Sequence, residues 1–139
     1  MKKKNKKLFV LKLLCFFLCA VLCWLVVKNF LKPKFSIVEY VLEGKKYKLY
    51  LADEPYKWQH GLMFVKKLKD IDGMLFVFPE KKHRVFYNKN TYLDLEVYWI
   101  NGSSVVGKNF LPSIKRSKKI VYLPSPQEVD KVVEIIKYK

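Results

Sequence analysis

Residues 89–96 read Lys-Asn-Thr-Tyr-Leu-Asp-Leu-Glu, the best polar constellation in the chain. Lys89 offers a point charge to an anion, and Asn90 and Thr91 offer donors and acceptors to a polar ligand. Asp94 and Glu96 stand two residues apart, which on a strand places both on one side. Two carboxylates so placed can hold a cation or divide acid and base work. Each group also has a plainer use. Asn90 and Thr91 cap turns readily. Asp94 and Glu96 suit the wet face of a strand whose other face carries Leu93, Leu95 and Val97. Both readings stay open.

Other reactive groups are sparse. His60 and His83 are the only histidines, and neither belongs to a His-x-x-x-His or His-Glu-x-x-His pattern. A zinc site would have to draw acids from afar, so neither a metal nor a cofactor is expected. His60 is expected to close a short helix and His83 to sit in the basic stretch Lys81 to Arg84. Ser103, Ser104, Ser113, Ser117 and Ser125 fall in turns or loops with no evident base. No Gly-x-Ser-x-Gly elbow, Walker loop or dinucleotide fingerprint is present. Nucleophilic catalysis therefore has few players.

The surrounding charge narrows the partners. The chain of 139 residues carries 28 basic against 12 acidic side chains, a net +16. Residues 1–34 hold nine lysines and no acid, and the remainder holds 19 basic and 12 acidic residues. A Lys-rich domain favours anionic surroundings such as lipid headgroups or charged envelope polymers. Arg84 and Arg116 are its only arginines, and without stacking motifs nucleic acid is not an expected partner.

The N-terminal segment sets the expected location. Residues 1–7 contain five lysines, and residues 8–27 interrupt their apolar run only at Lys12. Twenty helical residues reach about 30 Å, the thickness of a bilayer's hydrocarbon core. Lys12 can snorkel to the headgroups, and Trp24 suits the opposite interface. The lysines before the span keep that end cytoplasmic. No small-residue cleavage site follows, so an uncleaved signal anchor is favoured over a removed signal peptide. The expected organisation is a cytoplasmic tail (1–7), a transmembrane anchor (8–27), a linker (28–34) and an extracytoplasmic domain (35–139). Cys15, Cys19 and Cys23 share one face of the anchor, either as a packing or crosslinking seam or as small apolar filling.

The elements that must position the polar run are mostly strands. Phe35 to Leu51 reads as a hairpin centred on Glu43-Gly44-Lys45. Asp53-Glu54-Pro55 supplies a cap and an entry to a short helix ending at Gly61. Leu62 to Lys69 is a loop, and Met74 to Pro79 an apolar strand. Val85 to Tyr87 and Leu93 to Ile100 are further strands, with Asn101-Gly102 turning the latter toward Val105. A basic loop over 108–119 precedes strands at Ile120 to Leu123 and Val129 to Ile136. The fold class is α+β. A mainly antiparallel sheet or open barrel carries one or two short helices, after one N-terminal transmembrane helix.

The words Gly61-Leu62-Met63 and Gly73-Met74-Leu75-Phe76, with Phe78 and the later Lys89-Asn90-Thr91, resemble the family DUF192 over about residues 45–136. The resemblance implies a compact β-rich α+β fold, often secreted or membrane-anchored, with no settled biochemical role. Val65 stands where the family commonly has Arg, and Tyr87-Asn88 where it has Trp-Met. Glu96 falls on the family's strand Asp, and Glu134 on the Glu of its late strand, here followed by five residues.

These readings lead to a membrane-tethered, extracytoplasmic binding or accessory domain. Its site would be Lys89, Asn90, Thr91, Asp94 and Glu96, and its partner a glycan, an anionic envelope polymer or an envelope protein. The alternative is an envelope enzyme in which Asp94 and Glu96, helped by His60 or Lys89, act on a saccharide-like substrate. A third possibility is a purely structural domain. The oligomeric state is not legible.

Overall fold

The computed structural model describes residues 2–30 and 33–137, except the side chains of residues 2–8, 10, 11 and 26–30. The chain divides into two units, Met1–Lys34 and Phe35–Lys139.

The first unit is one helix, α1 (Lys2–Phe30). Leu13, Leu14, Phe16, Phe17, Leu18, Val21, Leu22, Trp24 and Leu25 are all exposed on it. At 100° per residue these positions cover about two thirds of the helix circumference, and Cys15, Cys19 and Cys23 occupy the remaining third. Among the described residues no helix is long and apolar enough to cross a membrane. Residues 8, 10, 11, 26 and 27 of the expected span lie outside those whose side chains are described. Cys15, Cys19 and Cys23 are free thiols.

The second unit is a β-rich α+β domain. Strands β1 (Ser36–Leu42) and β2 (Lys45–Ala52) form the expected hairpin. Its turn residues Glu43 (φ 49°) and Gly44 (φ 79°) both adopt the left-handed conformation that a tight two-residue hairpin needs. Helix α2 (Pro55–His60) follows, with Gly61 at its C-cap donating its N–H to Lys57 O at 2.9 Å. The Asp53 cap expected from sequence is not made. Glu54 takes the cap position without a side-chain bond. Both carboxylates instead hold Lys57 Nζ, at 2.7 Å from Asp53 and 3.1 Å from Glu54. A charge-assisted bond to an ammonium is stronger than one to a neutral N–H.

The remaining strands are β3 (Gly73–Lys82), β4 (Val85–Tyr87), β5 (Leu95–Asn101), β6 (Ser104–Leu111), β7 (Tyr122–Pro124) and β8 (Val129–Ile136). Six of them form one sheet in the order β1-β2-β3-β8-β5-β6, while β4 and β7 form a separate ribbon. Among the described residues only the β2–β3 pairing is parallel, because α2 and the following loop carry the chain across the sheet. The large sheet ends at β1 and β6 and does not close into a barrel. The expected basic loop over 108–119 is shorter. Residues 108–111 continue β6, paired to β5 as far as Leu95↔Leu111. Residues 114–117 form the helical turn α3, whose Ser113 hydroxyl accepts from Arg116 N at 3.2 Å.

The strand period of two divides the core. Met74, Phe76, Val97, Trp99, Val132 and Ile136 belong to one cluster, and Leu42, Leu49, Leu75, Tyr98, Ile100 and Val133 to the other. Trp58 fixes α2 to the sheet, its indole N–H lying 3.0 Å from both Ala52 O and Val77 O. Gly73 permits the central strands to meet. A Cβ there would lie 1.8 Å from the backbone oxygen of Glu134.

Candidate functional site

The five residues expected to form a site do not converge. Lys89 is exposed. Asp94 lies just before β5, where it accepts from Ser113 N and from Arg116 Nη1, each at 2.8 Å. Burial raises its carboxyl, but the Ser113 N–H and the Arg116 guanidinium outweigh this and hold it below the usual carboxylate range. Glu96 is on β5 opposite Ile135 and binds Lys137 at 3.0 Å and Lys108 at 3.2 Å. The Lys137 ammonium, aided by Lys108, lowers its carboxyl despite partial burial. The two carboxylates thus share no ion-pair partner, although Lys137 N also donates to Asp94 O at 2.9 Å, and each charge is already answered.

Thr91 and Asn90 sit differently. Asn90 holds φ 57° and Phe64 holds φ 64°, both in the left-handed region. The Phe64 N–H donates to Asn90 O at 2.8 Å. This bond ties the loop that follows Gly61 to the Lys-Asn-Thr turn, so two words distant in sequence form one piece of structure. Thr91 is buried, and its carbonyl accepts from Ile114 N at 2.8 Å.

Thr91 lines a cleft of about 70 Å³. Helix α2 supplies Trp58 and His60, β3 supplies Phe76, β4 supplies Phe86 and Tyr87, and β8 supplies Glu134. The wall rings pack against one another and against their neighbours. Phe86 meets Phe76 edge to face at 4.9 Å and Trp99 at 5.5 Å. The His60 ring is flanked by Phe35 and Phe64, each at 6.3 Å. A wider groove shares Trp58, Phe86 and Tyr87 with the cleft and adds Phe78, His83 and Arg84. There the Arg84 guanidinium lies 3.9 Å over the Phe78 ring.

Glu134 is the unusual member. It is only 5% exposed. Its cross-strand neighbours are Met74 on β3 and Val97 on β5, and directly opposed residues project to the same side of a sheet. An acid is thereby held among apolar side chains. Among the described residues no hydrogen bond or ion pair reaches its carboxyl, and burial raises it to about 8. At neutral pH it keeps its proton, so it can donate a hydrogen bond, surrender a proton, or become a carboxylate if a cation arrives.

Sequence reasoning placed Glu134 in a family pattern without assigning it to the site. The available signal was a single acid inside Val132-Val133-Glu134-Ile135-Ile136, an apolar run that belongs in a sheet interior. Asn88 was likewise passed over. It is fully buried, donates to Pro112 O and Ser117 Oγ at 2.8 Å each, and accepts from Val121 N at 2.8 Å. It secures the loop behind β6 to the ribbon beside the cleft.

Two other chemistries can be placed. Among the described residues no three His, Cys, Asp or Glu side chains are grouped to hold a metal. Gly102, Gly107 and Lys108 have the spacing of a phosphate loop, but they occupy the β5–β6 hairpin and Asn109 follows. A phosphate cradle needs a strand-to-helix turn and a hydroxyl after the lysine.

No curated protein matches the chain. Among solved structures, it is similar to a proposed transcription regulator from Sinorhizobium meliloti 1021. The identity is 24%, the coverage 76% of this chain and 84% of that one, and the TM-score 0.58. It is also similar to a protein of unknown function from Novosphingobium aromaticivorans DSM 12444, at 22% identity, 73% coverage of each chain and a TM-score of 0.58. These likenesses concern the fold alone. The family model DUF192, described as "Uncharacterized ACR, COG1430", matches residues 38–137. That match spans the sheet from the third residue of β1, the ribbon and every residue of the cleft: this chain belongs to the DUF192 family.

Proposed function

We propose that the protein is a membrane-tethered, extracytoplasmic binding domain whose cleft over Glu134 receives a small polar group of an envelope component, such as a sugar unit of a glycan or wall polymer. The reading rests on one observation. The cleft gathers the aromatic side chains of Trp58, Phe76, Phe86 and Tyr87 around the polar groups of Thr91, His60 and Glu134. Aromatic walls with a few convergent polar groups are what an orienting binding site requires. The tether is supported by the lysine-rich residues 1–7 and by the apolar run that follows.

An acid/base enzyme built on Asp94 and Glu96 is less well supported. Each carboxylate is engaged by a basic partner, and neither lines the cleft. The test is a fluorescence titration of the full chain in detergent micelles against soluble envelope saccharides and wall fragments. At least one should change the tryptophan emission saturably. Phe86→Ala should weaken that ligand at least about tenfold, a loss of roughly 1.4 kcal/mol, while D94N and E96Q leave it unchanged. If no compound binds, or if D94N or E96Q abolishes binding, the proposal fails.

A further inference from the structure

We propose that the group received by the cleft is an organic ammonium, seated on the Glu134 carboxylate among the rings of Trp58, Phe76, Phe86 and Tyr87. The inference rests on the reading of the cleft as a binding site and specifies the charge of what enters it.

Other acids of the domain show what is missing at Glu134. Asp53 has Lys57 at 2.7 Å, Asp94 has Arg116 at 2.8 Å, and Asp130 has Lys131 at 3.3 Å. Glu96 has two lysines. Glu134 is more buried than any of these, yet no described cation or donor reaches it. Buried acids are normally paired or hydrogen-bonded, because an isolated charge in an apolar setting is expensive. Among the described residues Glu134 is the only buried acid, and none of the 19 basic side chains outside residues 1–34 is paired with it.

The walls select the kind of cation. Ring faces attract an ammonium through their quadrupole and tolerate its methyl or methylene groups. Calcium or magnesium would demand several oxygen ligands, whereas a single carboxylate lines this cleft. A volume of about 70 Å³ is about half that of a ~150 Å³ cavity that holds benzene. It admits a headgroup of a few heavy atoms rather than a polymer segment. An amino sugar's ammonium and a quaternary ammonium share this chemistry.

Proton balance gives the inference a signature. Empty, the carboxyl holds its proton at neutral pH. The arriving ammonium draws out the carboxylate form, and the proton leaves to solvent. His60 from α2 and Tyr87 from β4 are the other titratable lining groups. The strands beside β8 place Met74 and Val97 opposite Glu134, and Arg84 lies in the adjoining groove. Below pH 8 the carboxylate fraction rises about tenfold per pH unit, so affinity should rise with it.

The test is calorimetric titration of the full chain in neutral detergent micelles with choline, glucosamine, N-acetylglucosamine and 3,3-dimethylbutanol, the uncharged counterpart of choline. Choline or glucosamine should bind, release a proton, and gain about tenfold in affinity between pH 6.5 and 7.5. Glu134→Gln should lower that affinity at least tenfold with an unchanged circular dichroism spectrum. Binding of the neutral compounds as tightly as the charged ones, or an affinity independent of pH, would overturn the ammonium while leaving the cleft a binding site. Binding of none of the four overturns the ammonium, and failure of the wider saccharide titration would remove the binding site as well. If the Gln variant does not fold, the pH series on the unaltered chain decides.

Discussion

At the scale of single residues, Glu134 carries a stability consequence independent of any ligand. Its carboxyl titrates near 8 in the folded chain and near 4.3 when unfolded. Between those values the folded state holds a proton that the unfolded state has released. Stability is therefore greatest at or below pH 4.3 as far as this group is concerned, and it falls as pH rises toward 8. The slope approaches about 1.4 kcal/mol per pH unit. Urea unfolding at pH 5, 6, 7 and 8 should show this decline, and E134Q should flatten it and be the more stable protein at pH 8. A pH-independent midpoint in the unaltered chain would refute the assignment. Asn88 offers the opposite case, a buried polar side chain that is fully used. Asn88→Ala strands the Val121 N–H and the Pro112 carbonyl and should cost on the order of 3 kcal/mol. Asn88→Asp should cost more, since a carboxylate would face the Pro112 carbonyl in place of the amide donor. The urea midpoint, read at constant m-value, measures both.

At the scale of elements, the opening expectations succeeded where a local pattern dictates a local structure. Glu43-Gly44 forms the tight turn of the first hairpin in register, whereas the β5–β6 turn falls one residue later than Asn101-Gly102, on Gly102-Ser103, with a register shift between Trp99 and Ile100. Pro55 and Gly61 bracket α2 as helix punctuation should. The family words were legible too, because glycines and bulky residues at fixed spacing serve one requirement each. Gly73 shows the requirement most sharply. Ala there would drive a methyl to 1.8 Å from Glu134 O, a backbone atom that cannot move without shifting β8. Gly73→Ala should exceed the roughly 1–3 kcal/mol usual for overpacking and leave little folded protein by circular dichroism. Gly107→Ala would meet the Pro126 ring at 2.9 Å and the Trp99 ring at 3.2 Å, side chains with some freedom, and should stay within that range. The cleft was not legible. Its wall residues come from α2, β3, β4 and β8, and only the crossover after β2 and the insertion of β8 between β3 and β5 bring them together. Adjacency in sequence pointed instead to Asp94 and Glu96, whose charges are taken up locally by Arg116, Lys108 and Lys137.

At the scale of the whole molecule, the asymmetry of charge along the chain makes orientation testable. Five lysines occupy residues 1–7, while Lys28, Lys32 and Lys34 follow the apolar run. Flanking lysines stay on the cytoplasmic side, so the proposed topology depends on five outweighing three. The margin is small enough to reverse. In the unaltered chain, alkaline phosphatase fused after Lys139 should be active and green fluorescent protein dark. Replacing Lys2, Lys3, Lys4, Lys6 and Lys7 with Asn leaves the balance at none against three and should send much of the fusion population inward, lighting the fluorescent reporter. Restoring balance by also replacing Lys28, Lys32 and Lys34 should give a mixture of both orientations. Neither change touches the domain from Phe35 onward, so its folding serves as the internal control. A bright cytoplasmic reporter on the unaltered chain would defeat the extracytoplasmic assignment. Recovery of that chain in the high-speed supernatant without detergent would defeat the tether itself.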